Sequence, residues 1–225
     1  MITAEVKTCR TCRSEVVPSV ATWNHGLCDS CYTWERDKED RRETSKTQLE
    51  VRIDRWEKLC PEIYRKNSTD FIDASKFRLV TSWKFGSRGL LCSGDSRRGK
   101  TTSCWHLVHK LFILEARTFV GLSEPEFSIL REKYSRQGTL EYWLNKCIAA
   151  DVFFLDDIGH AASTARHMEE LYHIIEKRTS WNKPIIATTQ FTLQDIEDKS
   201  GKSSTTKTAM AILNRLLSFC DKVQF

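Results

Sequence analysis

The sequence predicts an α/β fold: a domain with a central parallel sheet over residues 59–225, preceded by a small cysteine-bearing module over 1–34 and a charged connector helix over 35–58. Three observations predict it. From Leu59 onward, short apolar runs alternate with longer amphipathic segments. A glycine-containing loop stands between the first apolar run and the segment that follows. Two Cys-x-x-Cys pairs occupy the N-terminal part, where strong periodic patterns are lacking.

Length and composition fit that division. A chain of 225 residues holds one full-sized domain and a small appendage. Apolar residues at 40% and charged residues at 29% suit a soluble chain with a sizeable core and argue against disorder. No apolar run approaches the roughly 20 residues that cross a bilayer. The first residues, Met1 to Lys7, contain no long apolar stretch of the kind a secretion signal needs. The expected location is cytoplasmic, with no membrane partner. A net charge of +5 is compatible with nucleic-acid contact without requiring it.

Four strands are expected, at 89–93 (Gly-Leu-Leu-Cys-Ser), 118–122, 152–155 and 184–188. Between the first two, residues 100–116 put Cys104, Leu107, Val108, Leu111 and Leu114 on one helical face. Met168, Leu171, Tyr172 and Ile175 give a second stripe. Strands alternating with helices of this length imply a parallel sheet covered on both faces. Residues 195–208 are polar and read as a loop. In the connector, charges of both signs interleave, and Leu49, Ile53 and Trp56 share one face. That texture reads as a solvated helix, with a DNA-binding arm as the alternative.

The loop Gly94-Asp95-Ser96-Arg97-Arg98-Gly99-Lys100-Thr101 fits G-x-x-x-x-G-K-T, with Thr102 following it. An apolar strand precedes it and an amphipathic helix starts at the lysine, the context this motif requires. Its glycines let backbone N–H groups curl around the phosphates of ATP, aided by the positive end of the helix. Lys100 would meet the β- and γ-phosphates and the Thr101 hydroxyl would ligate Mg²⁺. Arg97 and Arg98 fill positions often held by small residues. Added charge at the phosphates and contact with a neighbour are both open readings for them. About fifty residues on, an apolar strand ends in Asp156 and Asp157. Asp156 would hold Mg²⁺ through water, and Asp157 would orient the attacking water as general base. Alone such a pair would read as a turn or cap; behind a phosphate loop it reads as the magnesium element.

Nine cysteines are many for a reducing compartment, and an odd total does not suit a disulfide framework. Cys9, Cys12, Cys28 and Cys31 form two Cys-x-x-Cys pairs separated by 15 residues, the spacing of a structural Zn²⁺ site. A segment this short needs a metal to fold. His25 could replace one cysteine, and a redox role is the alternative. Cys60, Cys92, Cys104, Cys147 and Cys220 read as small buried apolar residues.

The order of phosphate loop, acidic pair, Lys183-Pro-Ile-Ile-Ala-Thr-Thr-Gln190 and Ile212-Leu-Asn-Arg215-Leu-Leu resembles the AAA+ ATPases of the bacterial and phage helicase-loader group, of the DnaC, DnaI and IstB types. The resemblance covers about residues 60–225, and Cys60-Pro-Glu-Ile-Tyr leading into the first strand fits it. It implies an AAA+ domain over 59–225 without a full lid. It implies that Thr189 and Gln190 stand where the family keeps a γ-phosphate sensor, with Gln190 replacing the usual Asn. Arg215 matches the arginine finger given to a neighbouring subunit, and Arg178 is a weaker candidate for a subunit contact. The partners so implied are a replicative helicase in preference to a transposase, DNA in single-stranded form, and further copies of the chain when ATP is bound. The N-terminal zinc module would grip the helicase, as in some loaders. A nucleotide-switched adaptor with little turnover is the non-enzymatic alternative.

Overall fold

The computed structural model describes residues 7–16, 26–66, 69–159, 165–192 and 204–225, without the side chains of 204–206. His25 and most of the expected 195–208 loop lie outside the described residues. The chain divides into two units, Met1–Arg55 and Trp56–Phe225.

In the first unit, β1 (Lys7–Thr8) and β2 (Glu15–Val16) form a short antiparallel hairpin. Helix α1 follows over Asp29–Leu59 and ends in the second unit. It is longer than the expected connector, starting early enough to carry Cys31 in its first turn. Asp29 sits at its N-terminus, where a negative charge complements the helix dipole. Thr33, Thr44 and Thr47 turn their hydroxyls back onto carbonyls four residues earlier, leaving charges of both signs on the surface. Of the apolar stripe, only Trp56 is buried; Leu49 and Ile53 are exposed.

The second unit begins with α2 (Glu62–Lys66) and α3 (Ala74–Thr81), the latter capped by the Asp73 carboxylate on the N–H groups of Ser75 and Lys76. Its strands are β3 (Gly89–Ser93), β4 (Phe119–Ser123), β5 (Val152–Ile158), β6 (Ile185–Thr189) and β7 (Cys220–Gln224). They form one five-stranded parallel sheet in the order β4-β5-β6-β3-β7. Helix α4 (Lys100–His109) joins β3 to β4, and α5 (Glu124–Arg136) and α6 (Leu140–Ala149) join β4 to β5. Helix α7 (Ala165–Ser180) precedes β6, and α8 (Ser204–Phe219) precedes β7. Alternate residues of the central strands feed two cores. Leu91, Phe153, Leu155, Ile185 and Ala187 pack with α5–α8 on one face. Leu90, Cys92, Val152, Phe154 and Ile186 pack on the other with α4, Trp56 and Trp83. Continuous burial of β3 and β6 is what a sheet covered on both faces demands.

Several expectations are corrected. A fifth strand, β7, joins the four expected. Its burial is confined to Cys220 and Val223, so neither an apolar run nor a period-two pattern marks it. Residues 204–208, expected to be loop, open α8. Helix α4 continues into a π-helical turn over Lys110–Leu114. The extra residue of a π turn shifts the helical phase, so Ile113 is buried and Leu114, expected on the core face, is 73% exposed. Arg178 is no subunit contact. It is fully buried and donates to the carbonyls of Cys147, Ile148, Ala150, Asp151 and Pro184, tying the end of α6 to the starts of β5 and β6. The five scattered cysteines are all buried, as expected. Among the described residues no helix is long and apolar enough to cross a membrane.

Candidate functional site

The phosphate loop runs from the end of β3 into α4, and its backbone shape depends on two glycines. Gly94 has φ 114 and lies so close to Phe225 that a Cβ there would meet its carbonyl oxygen at 2.4 Å. Gly99 has φ 91, and a Cβ would meet Ile72 Cγ1 at 2.5 Å. Lys100 turns back across the loop, its Nζ donating to the carbonyls of Gly94 (2.7 Å) and Asp95 (2.6 Å). Burial lowers its pKa, partly offset by Asp157, Cys92, Asp156 and Asp95. Asp95, Ser96, Arg97 and Arg98 are exposed on the loop, and Thr102 is buried beneath it.

The two carboxylates stand on β5 beside this loop. Thr101 Oγ1 donates to Asp156 Oδ1 at 2.8 Å, so the two groups expected to serve Mg²⁺ converge. A hydroxyl and a carboxylate are the hard oxygen donors that ion takes, so the residues fit it. Burial raises the Asp156 pKa, opposed by the hydrogen bonds from Thr188 and Thr101. Asp157 has φ 58, a left-handed backbone, and its N–H donates to Thr188 Oγ1 at 2.8 Å. Thr188 in turn donates to Asp156 Oδ1 at 2.5 Å, and Gln190 Nε2 donates to Asp157 Oδ1 at 3.1 Å. An open pocket of ≈ 480 Å³ here is lined by Arg97, Lys100, Thr101, Asp156, Asp157, Thr188 and Gln190. Ile63, Tyr64 and Phe71 form an apolar wall, with the Tyr64 ring stacked on Trp105.

Thr188 was missed by sequence reasoning, and Thr189, named with the sensor, turns away to donate to Ile158 O. Successive strand residues face opposite sides, so one of two adjacent threonines must face the carboxylates. Only the register of β6 against β5 tells which. Glu124 was also missed. It is buried at the start of α5 and accepts from the N–H of Gly159 at 2.6 Å, fixing the backbone just after the acidic pair. Arg215 is not among the pocket residues. Its guanidinium donates to Thr179 Oγ1 (2.9 Å) and the Tyr172 hydroxyl (3.2 Å), both on α7 of the same chain.

In the first unit, the thiols of Cys9, Cys12, Cys28 and Cys31 lie within 4.8 Å of one another. Four sulfurs at about 2.3 Å from one Zn²⁺ stand about 3.8 Å apart, and the Cys12–Cys28 separation is 3.7 Å. Cys9 N–H bonds Ser14 O and Arg13 N–H bonds Cys9 O, closing the first knuckle. Backbone donors at Cys12 and Cys28 bring the Cys9 pKa down to about 6. Hydrogen bonding with Cys28 pushes Cys31 up to about 12. Four thiols so arranged cannot all ionise without a cation among them. The apolar support is slight, with Leu27 the buried neighbour of Cys9.

Comparison with known proteins bears on the fold. The DnaC helicase loader structure superposes with a TM-score of 0.59 at 15% identity, covering 73% of this chain and 99% of that one. The second unit has an AAA+-like fold. The DnaI structure matches with a TM-score of 0.54 at 18% identity, covering 74% and 94% of the two chains. AMPPCP-bound DnaA from Aquifex aeolicus gives 0.57 at 15% identity over 74% of this chain. The chain spans about half the length of the replication initiation proteins it matches, 48% of one initiation factor and 51% of that DnaA. At such identities the likeness establishes the AAA+ fold alone. In sequence, residues 126–225 match the family of IstB-like ATP binding proteins. No curated protein matches the chain.

Proposed function

We propose that this protein binds Mg²⁺-ATP at the phosphate loop and hydrolyses it, using the nucleotide state to load a replicative helicase onto DNA. The observation that carries the chemistry is the junction of Thr101 and Asp156 at 2.8 Å beside Lys100, with Asp157 next to it. Thr101 and Asp156 would hold the magnesium, which offsets charge on the phosphates. Asp157 orients the attacking water and takes its proton, and Gln190 fixes the Asp157 carboxylate. Ile63, Tyr64 and Phe71 offer the base an apolar wall. The loader role draws on the similarity to the DnaC and DnaI structures. In this reading Zn²⁺ folds the four-cysteine module, which grips the helicase, and copies of the chain assemble when ATP is bound in the cytoplasm. Arg215 completes a neighbour's site on leaving Thr179 and Tyr172, and the DNA is single-stranded.

A second reading, a transposition-helper ATPase binding a transposase, is favoured by the match of residues 126–225 to IstB-like proteins. Two experiments test these readings. Lys100→Ala should abolish ATP binding and turnover with the fold intact by circular dichroism; native turnover in that variant would remove the assigned site. The ATP-bound wild type should retain a replicative helicase in co-purification, with turnover per chain rising with protein concentration. Retention of a transposase in its place would select the second reading.

A further inference from the structure

We propose that Arg97 is a phosphate clamp acting in cis: its guanidinium engages the terminal phosphate of the nucleotide bound to its own chain, so that the site prefers a nucleoside triphosphate to a diphosphate. This rests on the nucleotide-site reading above. Two independent observations carry it.

The first is the backbone. Arg97 has φ 60, in the left-handed region. Glycine takes that conformation freely, and asparagine or aspartate takes it with help from a short polar side chain. Arginine has neither advantage. A bulky residue held in such a position, at the mouth of a pocket, raises the hypothesis of a use for its side chain.

The second is the side chain's setting. Arg97 is exposed and lines the same pocket as Lys100, Thr101, Asp157 and Gln190, with no hydrogen bond or ion pair among the described residues. Arg88, Arg131 and Arg215 are committed, to Asp221, Glu170 and α7, and of the described arginines of this unit Arg97 is the one that lines this pocket. The pocket also holds two carboxylates, Asp156 and Asp157, against the one ammonium of Lys100. A triphosphate entering there adds further negative charge, and a guanidinium meets phosphate oxygens with two parallel N–H bonds. Asp157 and Gln190, the groups suited to the reacting end of the nucleotide, share the pocket with Arg97, which directs the clamp to the terminal phosphate.

The test is titration calorimetry with Mg²⁺, using ADP and AMPPCP, on the wild type, Arg97→Asn, Arg97→Lys, and Arg136→Gln as a distant charge control. Arg97→Asn removes the cation but keeps a residue that accepts the left-handed backbone. It should lose about tenfold or more in AMPPCP affinity, the size of a charge-assisted bond pair, with ADP affinity changed less than about twofold. Its melting temperature should stay level or rise. Arg97→Lys should recover part of the preference, and Arg136→Gln should alter neither affinity. An equal loss for both nucleotides, or none for AMPPCP, would overturn the clamp. Wild type binding neither nucleotide, or Lys100→Ala binding both normally, would overturn the pocket reading itself and the clamp with it.

Discussion

Asp157 has a left-handed backbone (φ 58) and lines the pocket, its N–H donating to Thr188 Oγ1 and its carboxylate accepting from Gln190 Nε2. Asparagine accepts the same backbone, so Asp157→Asn removes the proposed base while leaving the turn in place. Nucleotide affinity should be retained, because Lys100, Thr101 and Asp156 are untouched. Single-turnover phosphate release should fall by about 10²–10⁴, the usual contribution of a general base. Release at the native rate would show that another group activates the water. Residues of this kind were legible from sequence where the motif is contiguous, as in Gly94–Thr101, or where acids end an apolar strand. Thr188 was not, because its role depends on register across two strands far apart in the chain. Arg178 was not either: nothing local distinguishes a helix-end arginine bathed in solvent from one enclosed by five carbonyls.

Among the elements, the apolar pattern located β3, β5 and β6 as short runs, since the sheet is covered on both faces where those runs lie. It failed at β7, an edge strand whose Asp221 and Lys222 face solvent. It also failed at the end of α4, where a π turn changes the spacing that a 3.6-residue template assumes. That failure yields a paired prediction. Ile113 is 7% exposed and belongs to the core that holds Trp105 and Phe154, whereas Leu114 is exposed. Ile113→Ala should cost about 2–5 kcal/mol in denaturant unfolding, the range for a buried aliphatic truncation. Leu114→Ala should stay within about 0.5 kcal/mol. The reverse order would mean that the helix continues with an unbroken α phase and that the stripe first expected from the sequence is the correct one.

For the whole molecule, two units stabilised by different physics share one chain. Trp56–Phe225 carries two extensive apolar cores against its sheet. The first unit offers Cys9 and Leu27 as its buried apolar residues among those described, with Cys28, Cys31 and Tyr32 packed against them. An apolar cluster this small gives little to offset the entropy of ordering the chain, and the proposed Zn²⁺ on the four cysteines would supply the difference. Freshly purified, reduced protein should therefore contain one zinc per chain by elemental analysis. Replacing Cys9 and Cys12 together by serine should release it and unfold the hairpin. The AAA+ unit should keep its own cooperative melting transition and its nucleotide affinity, because no residue of its cores is a metal ligand. Chelation should produce the same split in the wild type, and returning Zn²⁺ should reverse it. Metal-free protein with a natively folded hairpin would show that packing alone holds the cysteines together. Loss of the AAA+ transition with the metal would show that the two units fold as one cooperative body.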